Sequence, residues 1–98
     1  MNSLDIAQEL VRRPSVNPLH DPKSLGENKV VDWLEQWGKE HHLETLREPV
    51  FPNRDNICFK ISNGEGPHLL LNGHTDTVSV AGMDIDPFIG ELRDGRLW

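Results

Sequence analysis

The sequence predicts an α/β fold: two helices packed on a small, mainly parallel sheet, with one apolar strand at its centre. Three observations carry that prediction. Apolar residues recur at helical spacing in two segments of the first half of the chain. Shorter runs with the two-residue period of strands follow them, punctuated by Pro, Asn and Gly. Then comes Leu69-Leu70-Leu71, a run with the length of a buried strand, which ends at Gly73.

The first helix starts at a cap supplied by Asn2 or Ser3. Leu4, Ala7 and Val11 form its apolar stripe, with Ile6 and Leu10 beside them. It stops near Arg13, because Pro14 disfavours helical backbone in the residue before it. Arg12 and Arg13 then lie where a helix dipole favours cations. Residues 16–23 hold Pro18, Asp21 and Pro22 and read as a loop. Ser24-Leu25-Gly26-Glu27 has the spacing of a capping box, with Ser24 as N-cap. Val30, Leu34 and Trp37 carry the second helix to about His41, and Gly38 marks a close approach to the sheet.

Leu43 to Val50 reads as an edge strand of poor amphipathy. Asn56 to Ile61 is a cleaner strand, with Ile57, Phe59 and Ile61 alternating against Cys58 and Lys60. Cys58 reads as a buried structural thiol. Residues 62–67 form a turn by composition and lead into the central strand, His68 to Asn72. At the other end of the chain, Arg93-Asp94-Gly95-Arg96 reads as a hairpin with an Asp-Gly turn.

Ninety-eight residues allow a single domain spanning 1–98, with a limited buried core. The formal net charge of −6 argues against a nucleic-acid partner, which selects clustered Lys and Arg, and against an anionic membrane. One cysteine permits no internal disulfide. The start of the chain lacks the features of a signal peptide, and no apolar run has the length of a membrane span. A cytoplasmic location is the expectation.

The chemistry concentrates after the leucine run, in Gly73-His74-Thr75-Asp76-Thr77-Val78. In extended chain, residues two apart face the same side, so His74 and Asp76 are expected to meet just beyond a strand end. That edge of an open α/β sheet is where ligands bind. A neutral imidazole is a common zinc ligand, and a carboxylate on its other ring nitrogen fixes the tautomer. A His-x-Asp pair also suits a surface turn or a satisfied polar pair, and the pattern alone leaves these open. His20 lies in a loop. His41 and His42 are adjacent at a helix end, and His68 starts the strand at the opposite end from His74. None of these four reads as a ligand.

Gly73 to Val78 after a leucine strand resembles the first metal-site motif of the zinc aminoacylase and exopeptidase family. Its members include acetylornithine deacetylase, succinyl-diaminopimelate desuccinylase, aminoacylase and glutamate carboxypeptidase. Pro14-Ser15-Val16, Arg54-Asp55-Asn56 and Asp86-Pro87-Phe88 with Gly90 and Asp94-Gly95-Arg96-Leu97-Trp98 resemble further family stretches, in the same order. The resemblance covers nearly all of this chain but only the amino-terminal portion of a family catalytic domain, which would leave the fold incomplete. It implies metal-assisted amide hydrolysis at a two-metal zinc site, with cobalt as an alternative metal. His74 would be a metal ligand and Asp76 the orienting carboxylate of the catalytic site. The family's other ligands and its general-base glutamate have no counterpart among these residues. The implied substrate is a small N-acylated amino acid or short peptide, and the implied full-length assembly is a homodimer. A different reading is a non-catalytic paralogue or interaction module that pairs through an open sheet edge.

Overall fold

The computed structural model describes all of residues 1–98. Helix α1 spans Ser3–Val11 and α2 spans Asn28–Glu40; strands β1 (Glu44–Phe51) and β2 (Arg54–Lys60) follow, and a short pair, β3 (Leu92–Arg93) and β4 (Arg96–Leu97), closes the chain.

Asn2 is the cap of α1. Its Oδ1 accepts from the backbone of Leu4 and Asp5 at 2.9 and 3.0 Å, while Asp5 accepts from the Asn2 N–H at 2.8 Å. This reciprocal arrangement satisfies N–H groups that a helix start otherwise leaves orphaned. The capping box expected at Ser24 does not form: α2 begins at Asn28, with Glu27 in the cap position and no side-chain cap bond. Gly26 has φ +82°, so the chain turns sharply there instead of entering a helix. Ser24 donates to the carbonyl of Val16 and accepts from Gly26 N–H, and the Glu27 carboxylate is taken by Arg54.

Helix α2 lies against the antiparallel β1–β2 ribbon, in which Thr45 faces Phe59 and Arg47 faces Ile57. Val30 and Val31 are buried on its inner face, and Gly38 is buried with them. A β-carbon added at Gly38 would sit 2.7 Å from Thr45 Oγ1 and closer still to the Phe59 ring. Gly38→Ala is therefore expected to destabilise the protein. Overpacking costs about 1–3 kcal/mol, against the roughly 1 kcal/mol that alanine gains over glycine in a helix. Urea unfolding of the two forms measures the difference, and a more stable variant would contradict the close approach. Arg47 fastens the same interface, bonding Asp55 and Asp32 at 2.7 Å and Glu35 at 2.9 Å.

Three further expectations are corrected. The sheet is not mainly parallel: β1–β2 and β3–β4 are both antiparallel two-stranded ribbons. The one parallel contact is an isolated bridge between Val16 and Thr77. The leucine segment is in no ladder, and Leu69, Leu70 and Leu71 are 86%, 79% and 85% exposed. A strand that is apolar on both faces needs a neighbour on each edge and cover on each face, and the 98 residues supply neither. Cys58 is exposed, because α2 covers only one face of the ribbon and Cys58 points to the other. In the β3–β4 hairpin, Asp94 and Gly95 have φ +51° and +72°, the double positive φ that a two-residue hairpin turn requires.

Candidate functional site

The loop after α1 forms the floor of the site. Pro14 ends the helical run, and Ser15 and Val16 are buried, each 5% exposed. Their backbone then pairs with the stretch that follows the leucines. Thr77 N–H donates to the Ser15 carbonyl at 3.0 Å, and Asn17 N–H donates to the Thr77 carbonyl at 2.9 Å. Asp76 and His74 thereby sit between the leucine segment and Thr77, whose backbone is tied to a packed loop.

His74 and Asp76 lie on the same side and touch. His74 Nδ1 is 3.1 Å from Asp76 Oδ1 and 2.9 Å from the Asp76 carbonyl oxygen. Both partners accept hydrogen bonds, so Nδ1 is the nitrogen that donates to them and Nε2 has no partner in this contact. The imidazole is 83% exposed, so Nε2 is open to a ligand. The other carboxylate oxygen, Asp76 Oδ2, accepts from Asn17 Nδ2 at 2.8 Å. That bond is the largest reason the Asp76 carboxyl sits below the ordinary range; burial opposes it, and the nearby His74 imidazole adds a smaller lowering.

Arg54 stands behind this pair. It grips Glu27 with Nε at 2.9 and 3.0 Å and Nη2 at 2.8 Å, and Glu27 is 4% exposed. The Glu27 hydrogen bond raises the Arg54 pKa, and the negative charge of Asp76 adds to the shift. An open groove of about 880 Å³ runs along the site. Ile57 and Phe59 of β2 line it together with Leu69, Leu70 and Leu71, and His74 and Asp76 also contribute.

The donor set fits one share of a metal site. It holds an exposed imidazole whose Nδ1 faces the Asp76 carboxylate, an arrangement that suits zinc at the other ring nitrogen. It does not make a whole site: no group of three or more His, Cys, Asp or Glu side chains is arranged to hold a metal ion. The sequence brought His74 and Asp76 into view, but it did not point to Asn17 or to the Arg54–Glu27 pair. Asn17 reads as an ordinary loop residue until the single bridge to Thr77 is seen, and isolated bridges leave no periodic trace in a sequence.

The chain belongs to the deacylase and exopeptidase family that includes succinyl-diaminopimelate desuccinylase. Proteins of that name match it over nearly its whole length. The one from Parvibaculum lavamentivorans is 37% identical over 98 residues, covering 97% of this chain and 24% of its own length. One from a Bradyrhizobium species is 36% identical over 100 residues, covering 99% of this chain and 25% of its own. That from Rhodopseudomonas palustris is 38% identical over 101 residues, with the same two coverages. The chain thus spans about a quarter of the length of the curated relatives it matches. No family model and no solved structure matches it. No helix is long and apolar enough to cross a membrane.

Proposed function

We propose that these residues are the amino-terminal part of a zinc-dependent amidohydrolase that cleaves an amide bond in a small N-acylated amino acid or short peptide. The observation that carries the reading is the His74–Asp76 contact, with Nε2 left open, in a segment 35–38% identical to desuccinylases. His74 would hold one metal through Nε2. Asp76 would keep the proton on Nδ1 and orient the ring. When bound, zinc supplies Lewis-acid polarisation of the amide carbonyl and activation of water. The names of the relatives point to an N-succinyl group as the first acyl group to test. A cytoplasmic homodimer with two zinc or cobalt ions per subunit completes the proposal.

The test uses the intact protein. Succinate release from an N-succinyl amino acid is followed after chelation and after restoring zinc or cobalt. Chelation is expected to remove the activity and either metal to return it. Undiminished hydrolysis in the chelated protein would defeat the proposal. A second reading, an interaction module that pairs through an open sheet edge, is favoured by the exposed leucines and the absence of a three-ligand cluster. Intact protein that binds no zinc and hydrolyses no N-acyl amino acid is the result that reading expects.

A further inference from the structure

We propose that Asn17 is a positioning residue, which aims the Asp76 carboxylate at His74. Its functional consequence rests on the zinc-site reading above, but its geometry stands by itself. The Asn17 amide works at both ends. Its Oδ1 accepts from Leu19 N–H at 2.9 Å, and its Nδ2 donates to Asp76 Oδ2 at 2.8 Å. Flipping the amide would set two donors face to face at Leu19 and two acceptors face to face at Asp76, so the network permits one orientation.

The base beneath that amide is stiff. The backbone of residues 15–17 exchanges two hydrogen bonds with Thr77, Ser15 and Val16 are buried, and Ser24 Oγ donates to the Val16 carbonyl. A carboxylate held at one oxygen by a fixed donor cannot turn freely about its last torsion. With Oδ2 held by Asn17, Oδ1 is left facing His74 Nδ1 at 3.1 Å. The line of contacts runs from the loop after α1, through Asn17 and Asp76, to the imidazole. The outer partners of a metal-binding histidine set its tautomer and ring orientation, and Asn17 is the first group outside that partner.

The two ends of the amide separate positioning from loop-building. Asn17→Asp keeps the oxygen that accepts from Leu19 N–H but replaces the donor to Asp76 with an acceptor. Asn17→Ala removes both contacts and serves as a second variant should the first fold poorly. In intact protein labelled with ¹⁵N-histidine, nitrogen shifts report the His74 tautomer without metal, and calorimetry reports zinc affinity. The wild type is expected to hold the proton on Nδ1. Both variants should hold the Nδ1 proton less firmly than the wild type, since only the Asp76 carbonyl at 2.9 Å then fixes it, and bind zinc about tenfold more weakly, the lower end of the range for outer partners. Asn17→Asp should do no better than Asn17→Ala.

Wild-type tautomer and affinity in Asn17→Asp would overturn the inference and leave Asn17 a loop residue. A wild-type proton on Nε2 would overturn it as well. If zinc leaves the His74 nitrogens unmoved while both variants still disturb the tautomer, the role of Asn17 is upheld and the zinc-site reading alone falls.

Discussion

Replacing His74 with alanine in the intact protein is expected to cost more activity than any other single change in residues 1–98. The imidazole is the group whose free nitrogen faces outward from the site, since Nδ1 is committed to Asp76. Removing an outer partner of a metal ligand costs roughly 10–100-fold in affinity or activity. Removing the ligand itself should exceed that, with loss of zinc measured on the same sample. Asp76→Asn is expected to fall within the outer-partner range. It preserves size, but it sets an amide nitrogen against Asn17 Nδ2, or against His74 Nδ1 if the new amide turns over. Either orientation leaves one contact unmade. The pair of measurements is kcat/KM on an N-succinyl amino acid and zinc content by mass spectrometry. Full zinc and full turnover in His74→Ala would remove the ligand role. A larger loss in Asp76→Asn than in His74→Ala would invert the two roles.

How much of this could be read from the chain depended on the range of the interaction. Local signals were legible. The cap at the start of α1, the stop before Pro14, the two strand segments within residues 43–61, though not their antiparallel pairing, and the Asp94-Gly95 turn all rest on residues close in sequence. Gly38 was legible for the same reason, because a glycine inside a good helical stripe marks contact with something close. The Ser24 box failed through a contact from far along the chain. Arg54, at the start of β2, takes the glutamate that local spacing assigns to the helix start. Asn17 was out of reach because its partner is 59 residues away and the bridge that places it is one residue long. The leucine run shows a different limit. Its composition describes the surroundings it suits, and those surroundings are absent from residues 1–98.

That mismatch sets the second large expectation, which concerns the 98-residue chain in isolation. Only 8 of 98 residues are buried, and the Cα radius of gyration is 15.3 Å, against about 13 Å for a compact domain of this length. Beside the exposed leucines, Phe51 and Ile61 are 63% and 81% exposed, and all five line one groove. An apolar groove bounded by unpaired backbone is a template for strand pairing. The isolated chain should therefore self-associate at micromolar concentration and melt without a sharp transition. Replacing Leu69 and Leu71 with lysine should return it to monomer at little cost, because exposed side chains change stability by only about 0.5 kcal/mol. In the intact protein the same leucines should be covered, and the same double substitution should cost at least the roughly 2–5 kcal/mol typical of truncating a buried leucine. Sedimentation velocity on the isolated chain and denaturant unfolding of the intact protein make the comparison. A monomeric isolated chain with a cooperative melt, or equal effects of the lysines in both contexts, would mean that the leucines have no partner to find.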